Sequence, residues 1–180
     1  RDVANLAWKM AAVVNDGADE AILATYQPER APHVRGVIGA AVAAGRYICE
    51  LDPAKAAARD ANIRAQAAQK AGETAADLIP AISTGFIAAG TPAAGERFIQ
   101  PILTDGRKLD DLTGQGWRLF VRDSGADEGA IAAADLPDNG AVKAWLEARG
   151  AEAVLVRPDH CVFGTGKAAD TPSSRRPPPS

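Results

Sequence analysis

The chain opens with the residues Arg1-Asp2-Val3-Ala4-Asn5-Leu6-Ala7-Trp8-Lys9-Met10, a pattern typical of a helix. On a period of 3.6 residues this helix carries one apolar stripe, while Trp8 lies on its far side. Only a narrow stripe is left polar, so the pattern predicts packing partners on two sides. The rest of the chain does not obviously supply both, and we expect it to be the C-terminal part of a larger protein. The apolar stripe consists of Val3, Leu6, Met10, Val13 and Val14, and the polar stripe of Asp2, Asn5, Lys9 and Asp16.

Length and composition exclude several classes of protein. The 180 residues suffice for one ordinary domain, or for a small domain with part of another. Lys and Arg number 20 against 23 Asp and Glu, so the net charge of -3 gives no reason to expect a nucleic-acid partner. No apolar run approaches the length needed to cross a bilayer. We expect a cytoplasmic protein with neither a nucleic acid nor a membrane as its partner.

The two cysteines are Cys49 and Cys161, which are far apart in sequence and form no CxxC pair. They are compatible with a disulfide, with catalytic thiols or with two small buried apolar groups. We favour the last interpretation, because free cysteine commonly packs as a small apolar group. The missing CxxC argues against a thiol redox protein.

The first part of the chain is predicted to be helical. The opening helix should end near Gly17, which follows Asn-Asp as a typical C-terminal stop. Pro28 and Pro32 are predicted to bracket a break or kink before the helical pattern resumes. Asp52 precedes a proline and starts an Ala-rich helix that is expected to run to Gly72. This helix has few large apolar residues with which to build a core.

The second part of the chain changes character. Glycine and proline are scattered among small apolar residues over 77–95, which predicts an extended connection. An α/β pattern follows, with buried strands and a helix. The elements predicted there are strands at 117–122, 153–156 and 161–163, and a helix that is capped by Asp138 or Asn139 and ends at Gly150.

Two motifs in the helical part and several in the α/β part resemble the class A flavoprotein aromatic monooxygenases. The likeness is greatest to the 3-(3-hydroxyphenyl)propionate/3-hydroxycinnamate hydroxylases. The N-terminal motifs are Arg1-Asp2-x-x-Asn5-Leu6-Ala7-Trp8-Lys9 and Tyr26-Gln27-x-Glu29-Arg30-x-Pro32-His33. The C-terminal ones are Gln100-Pro101, Asp105-Gly106, Leu109-Asp110-Asp111, Val156-Arg157-Pro158-Asp159 and Val162-Phe163-Gly164-Thr165.

The resemblance implies an α+β chain with an internal division. Residues 1–76 would be the helical end of an FAD-binding domain, 77–95 a linker, 96–166 a thioredoxin-like domain without CxxC, and 167–180 a disordered tail. It also implies that FAD is reduced by NADH or NADPH and reacts with oxygen to a flavin hydroperoxide. This intermediate would transfer one oxygen atom to the ring of a small phenolic acid in aromatic catabolism. Homo-oligomerisation is left open.

The sequence departs from that family in one important respect, because it contains no strand–GxGxxG–helix unit to hold the FAD pyrophosphate. The chain by itself is therefore expected to be inactive. A non-catalytic thioredoxin-like module with an assembly or structural role is the alternative function. A glycine-rich flavin segment in any preceding sequence would separate the two hypotheses.

Asp2 and Asn5 are the candidate cofactor-binding residues. They stand at the start of the opening helix, where unpaired N–H groups and the positive end of the helix dipole suit charge on the flavin pyrimidine edge. The alternative is that Asp2 caps its own helix and that Asn5 bonds to neighbouring backbone.

No catalytic residue and no metal ligand is predicted. His33, in a proline-flanked turn, and His160 are interpreted as surface or packing residues, because neither has a nucleophile beside it. Two histidines so far apart make no zinc site. Glu29 and Arg30 are read either as an ion pair with each other or as solvated charges.

Overall fold

The computed structural model describes residues 1–67, 80–124 and 129–167. Four helices come first, α1 (Asp2–Asp16), α2 (Ala21–Ala24), α3 (Tyr26–Ile48) and α4 (Pro53–Ala67). An α/β part follows, with α5 (Leu109–Thr113), β1 (Arg118–Val121), β2 (Ala130–Ala132), a short 3-10 helix (Ala133–Asp135), α6 (Ala141–Glu147), β3 (Ala153–Val156) and β4 (Val162–Gly166). The predicted α+β class, helical first and α/β second, is confirmed. The expected helix end at Gly72 and the tail after Lys167 lie outside the described residues.

The described residues group into two compact units. The first combines Arg1–Arg30 with the residues from Ala81 onward, and the second is Ala31–Pro80. The predicted domain boundaries at residues 76, 95 and 166 stay predictions.

Helix α1 ends where the sequence predicts. Gly17 adopts φ 68°, and its N–H donates to the carbonyl of Ala12. Its buried face, however, is formed by Asn5, Trp8, Lys9 and Ala12. Three members of the apolar stripe are exposed instead, Val3 at 81%, Met10 at 51% and Val14 at 78%, while Leu6 and Val13 are part-buried. The side of Trp8 therefore has its packing partner within the described residues, and two members of the polar stripe are buried with it.

Of the predicted break or kink between Pro28 and Pro32, the break is wrong, because α3 runs through both prolines as one helix, and the kink stays a prediction. Pro28 lies in the first turn, where a missing N–H costs no helical hydrogen bond. Pro32 removes the bond that would reach the carbonyl of Pro28. The hydroxyl of Thr84 donates to this carbonyl at 3.2 Å and so replaces the missing partner.

The described residues of the unit Ala31–Pro80 have little core of their own. Over residues 31–66, His33 is the one buried residue, and large apolar side chains such as Ile38 and Ile48 are exposed. The Arg59 guanidinium donates to the last carbonyls of α3, those of Tyr47 and Ile48, at 3.2 and 2.7 Å. The expectation that the Ala-rich helix α4 builds no core is confirmed for its described side chains.

A four-stranded sheet in the order β2-β1-β3-β4 forms the centre of the first unit. Strands β1 and β2 are parallel, and the pairs β1–β3 and β3–β4 are antiparallel. The three predicted strands are present, and β2 was not predicted. One face of the sheet packs on α6 through Phe120, Val154 and Leu146. The other face carries Leu119 and Leu155 with Trp117 and Phe163 at its margin.

The helix predicted after residue 138 is α6, whose first residue follows Gly140. The carboxylate of Asp138 accepts hydrogen bonds from the N–H groups of Gly140 and Val142 at 2.9 and 2.8 Å. Asp138 therefore satisfies the first turn, as predicted for a capping acid.

Residues 81–95 contain no helix or strand, but their backbone is hydrogen-bonded to β4. The N–H of Gly95 donates to Val162 at 2.9 Å, and that of Ala88 donates to Phe163 at 2.8 Å. Two glycines permit close approaches in this segment. A Cβ on Gly95 would lie 1.7 Å from the carbonyl oxygen of Ile82, and one on Gly85 would lie 2.4 Å from Cγ of Glu29.

Candidate functional site

The N-terminus of α1 carries the two residues predicted to lie near a cofactor. No side-chain hydrogen bond caps this helix end in the described part of the chain. The Asp2 side chain is 52% exposed, and its Oδ1 accepts a hydrogen bond from Nε of Arg30 at 2.8 Å. Asp2 is thus paired with a residue of α3 and does not cap its own helix.

Asn5 is 2% exposed and faces the interior. Its Nδ2 donates to Oε2 of Glu29 at 2.7 Å and to Oδ2 of Asp159 at 2.9 Å. The alternative that Asn5 bonds to neighbouring backbone through its side chain therefore does not describe this structure. Both amide hydrogens go to carboxylates that are far away in sequence.

Arg157 is fully buried between the same two carboxylates. Its Nη2 donates to Oε2 of Glu29 at 2.8 Å and to Oδ2 of Asp159 at 2.7 Å, and its Nε donates to Oδ1 of Asp159 at 3.1 Å. Its Nη1 donates to the carbonyl of Phe86 at 2.9 Å. A planar guanidinium with its donors in a fixed fork is suited to such an arrangement.

Lys9 lies one turn after Asn5 on α1 and completes this group. Its ammonium is 3.0 Å from Oε2 of Glu29, and both side chains have no exposed surface. We call Asn5, Lys9, Glu29, Arg157 and Asp159 the buried ionic cluster. It contains two cations and two carboxylates, so its formal charges balance, as buried ions require.

Burial and pairing act in opposite directions on these groups. Burial by itself raises the pKa of Glu29, but the hydrogen bond and charge of Arg157, with the donors of Asn5 and Phe86, lower it to about 2. Burial lowers the pKa of Lys9 below its ordinary value, and Glu29 opposes that change. Glu29 is therefore an ionised acceptor at neutral pH and is unsuited to work as a general acid.

Trp8 lies beside the cluster and anchors α1 on the sheet. Its ring centroid is 5.5 Å from that of Trp117 and 5.9 Å from that of Phe86. The Arg157 guanidinium lies 5.2 Å from the centre of the Trp8 ring, which adds a cation–π contact. The helix is thus held by an apolar contact and by directional hydrogen bonds on one face.

The remaining predicted residues are placed as follows. His33 is buried within α3, so its assignment to a turn is wrong, while packing is the role that was expected. Glu29 and Arg30 are both buried, and their ion pairs are made with Lys9 and Arg157 and with Asp2. The reading of Glu29 and Arg30 as solvated charges is therefore wrong.

A second polar group surrounds His160, which is half-buried with φ 64°. Its Nδ1 lies 2.9 Å from Nη2 of Arg118 and 3.3 Å from Oδ2 of Asp110. Arg118 and Gln100 also donate to the Asp110 carboxylate. These contacts hold α5 against the turn after β3, which is a packing role.

Both cysteines are free thiols. Cys161 is part-buried, as expected for a small apolar group, and burial raises its pKa to about 11. Cys49 is exposed, so its predicted burial is wrong. The described residues contain no group of three side chains suited to bind a metal ion. Within the same residues, no helix combines the length and apolar character that crossing a membrane requires.

Sequence reasoning missed Lys9 and Arg157 as members of a site. Arg157 belongs to a quoted motif, and the pattern Arg-Pro-Asp after a buried strand was a usable signal. Lys9 also belongs to a quoted motif, but its place on the polar stripe predicted exposure, which is usual for lysine. The spacing of Asn5 and Lys9, one helical turn apart, is the only hint that the two share a face.

The fold and the site together define a class of protein: a chain whose N-terminal helix is joined through buried charges to a small α/β module. Comparison with known proteins shows what this chain is similar to. The family model described as "FAD binding domain" matches residues 1–41, and the family model described as "HcaD C-terminal domain" matches residues 124–176. The chain therefore resembles the C-terminal part of flavin-dependent aromatic hydroxylases.

Individual relatives show the same similarity to aromatic hydroxylases. The chain is 35% identical to a probable NADH-specific resorcinol 4-hydroxylase of Rhodococcus jostii, over 94% of this chain and 36% of the relative. It is 31% identical to a 3-(3-hydroxy-phenyl)propionate/3-hydroxycinnamic acid hydroxylase of Mycobacterium sp. strain JLS, over 96% of this chain and 38% of the relative. The chain therefore spans little more than a third of these curated relatives.

Solved structures share the fold. The anhydrotetracycline hydroxylase OxyS from Streptomyces rimosus matches with a TM-score of 0.64 and 25% identity, over 92% of this chain and 36% of that chain. An aklavinone-11 hydroxylase in complex with FAD and aklavinone matches with a TM-score of 0.54 and 27% identity, over 94% of this chain and 36% of that chain.

Proposed function

We propose that this chain is the C-terminal part of a hydroxylase that uses FAD and NADH or NADPH to insert one oxygen atom into a phenolic acid. The observation that carries this proposal is the order of the two family matches, a flavin-domain model at residues 1–41 and a C-terminal-domain model at 124–176. The names of both relatives, an NADH-specific resorcinol hydroxylase and a hydroxyphenylpropionate hydroxylase, support a phenolic ring as the substrate, and the second name supports a phenolic acid. Bound FAD supplies the activation of oxygen, and protein side chains orient it and exclude water.

The first turn of α1 suits the flavin. No side chain caps this helix end in the described residues, so its positive end suits a negatively charged group. Asp2 and Asn5 are the proposed flavin-side residues, with different roles. Asp2 stands at the exposed edge, whereas Asn5 donates both amide hydrogens to Glu29 and Asp159 and supports the turn from behind.

A chimera tests this function. Residues 1–180 replace the corresponding part of the hydroxyphenylpropionate hydroxylase of Mycobacterium sp. strain JLS, and the product is purified and assayed for bound FAD. We expect a yellow protein whose NADH oxidation is stimulated by a phenolic acid and yields hydroxylated product. The chain alone, titrated with FAD, should bind none at micromolar concentration, because it lacks a glycine-rich phosphate loop. A folded chimera without FAD, or with FAD but no hydroxylated product, would refute the proposal.

The alternative, a non-catalytic thioredoxin-like assembly module, is supported by the mixed four-stranded sheet and by the absence of CxxC. It predicts a folded chimera that forms a defined oligomer but does not hydroxylate. A cytoplasmic location is part of the main proposal, and the two free thiols support it.

A further inference from the structure

Asn5 of helix α1 donates a hydrogen bond to Asp159, which lies in the turn between β3 and β4 and is 154 residues further along the chain. Asn5 and Arg157 each donate to both Glu29 and Asp159. The two carboxylates are thus bridged twice, by Asn5 from helix α1 and by Arg157 from the turn after β3. Both donors reach the same two oxygens, Oε2 of Glu29 and Oδ2 of Asp159.

Arg157 is the centre of this arrangement. It uses Nε, Nη1 and Nη2 together, and its own backbone N–H donates to Cys161 at 2.8 Å, which holds it in the turn. Two further residues anchor α1 on this face: Lys9, which pairs with Glu29, and Trp8, whose aromatic contacts restrict distance more than rotation. The hydrogen bonds that Asn5 donates are directional and therefore define the rotation of the helix about its axis.

We propose that Arg157 is a positioning residue, which fixes the first turn of α1 through Glu29, Asp159 and Asn5. The inference rests on the proposed function, since that turn is the one that would face the flavin. The α/β module thereby contributes to cofactor binding without touching the cofactor. Lysine cannot replace arginine here, because the three N–H donors of its ammonium share one nitrogen, whereas Arg157 makes four hydrogen bonds from three nitrogens fixed in one plane.

Hydrogen–deuterium exchange on the 180-residue chain tests the positioning. In Arg157→Lys, exchange over Asp2–Asp16 should become at least tenfold faster, while exchange over Ala153–Val156 stays within twofold of the wild type. The matched control is Arg149→Lys, since Arg149 also pairs with a carboxylate, Glu96 at 3.0 Å, and stacks on a tryptophan, Trp145 at 4.0 Å. The control should leave exchange in α1 unchanged.

Unchanged exchange in α1, or an equal acceleration of α1 and the sheet, would overturn the proposal. If Arg157→Lys does not fold, hydrogen–deuterium exchange over Asp2–Asp16 and Ala153–Val156 is compared in Asp159→Asn instead. This variant removes the charge of one bridging carboxylate but keeps the shape of the side chain.

A second readout separates this inference from the proposed function. In the chimera, Arg157→Lys should raise the dissociation constant for FAD at least fivefold, and Arg149→Lys should not. A wild-type chimera that binds no FAD refutes the proposed function, and exchange in α1 then still decides whether Arg157 positions the helix. A chimera that binds FAD with unchanged affinity in Arg157→Lys overturns the positioning proposal alone.

Discussion

The behaviour of single residues in this protein is governed by charges that are buried together. Glu29 is surrounded by Lys9, Asn5 and Arg157, so its carboxylate is stabilised although it is removed from water. Each partner is needed because removing one member of a buried pair leaves an uncompensated charge, which costs on the order of 3–5 kcal/mol. The cluster therefore makes stability depend on pH in a defined direction.

Glu29→Gln should change the acid dependence of stability. The pKa of Glu29 is about 2 in the folded chain against an ordinary value of 4.5, so its contribution is present above pH 4.5 and is lost as the pH falls towards 2. By linkage the contribution is on the order of 3 kcal/mol. Urea unfolding at a series of pH values should show the largest difference between wild type and variant above pH 4.5.

The difference should shrink steadily towards pH 2. Asp123→Asn provides the control, because this carboxylate is 62% exposed and lies outside the cluster. It should keep the wild-type dependence on pH. A constant difference between Glu29→Gln and the wild type over the whole range would contradict the assigned role of Glu29.

The two thiols should react at very different rates. Cys49 is exposed, whereas Cys161 is part-buried with a pKa of about 11, so its thiolate is scarce at pH 8. A disulfide reagent such as DTNB should modify one thiol per folded chain quickly and the second only after unfolding in urea. Cys49→Ser should abolish the fast reaction. Two thiols reacting at the same rate in the folded chain would show that Cys161 is accessible.

At the scale of elements, the sequence pattern predicted the positions of helices and strands well. It predicted less well which face of each element is buried. The end of α1 at Gly17 and the strands β1, β3 and β4 follow from local signals. The continuity of α3 does not, because it depends on a hydroxyl at residue 84 that replaces one helical bond. The buried face of α1 could not be predicted either, since the carboxylates that neutralise Lys9 and satisfy Asn5 come from other elements. The strand β2 is only three residues long and carries no alternation to detect.

Gly85 should be far less tolerant of substitution than Gly90. Both have positive φ, 98° and 87°, so alanine is strained at either position by on the order of 1 kcal/mol. A Cβ at residue 85 would also lie 2.4 Å from Cγ of Glu29, while one at residue 90 has nothing within 4 Å. Gly85→Ala should therefore lower the free energy of unfolding by an additional 1–3 kcal/mol, roughly. Equal losses in the two variants, measured by urea unfolding, would argue against a close approach at Glu29.

At the scale of the whole molecule, the described residues divide into two units that differ in how many of their side chains are buried. The unit of Arg1–Arg30 and the residues from Ala81 onward contains the sheet, the aromatic contacts of Trp8 and the buried ionic cluster. In the unit Ala31–Pro80, the described side chains over 31–66 include one buried residue, and apolar side chains of α3 lie exposed. The first unit consists of two separate stretches of sequence, Arg1–Arg30 and the residues from Ala81 onward. If the division is correct, these stretches should stay together after the chain between them is cut.

Limited proteolysis with thermolysin should cut first between residues 31 and 66, because a stretch with one buried side chain opens locally at low free-energy cost. The fragments that contain Arg1–Arg30 and the residues from Ala81 onward should then elute together in size-exclusion chromatography. They should separate in urea, since Trp8 and the buried ionic cluster hold them together without a covalent bond. Arg157→Lys should make the nicked species dissociate more readily, whereas Arg149→Lys should not. First cuts within Arg118–Val121, or fragments that separate without denaturant, would mean that α1 and the sheet do not form one unit.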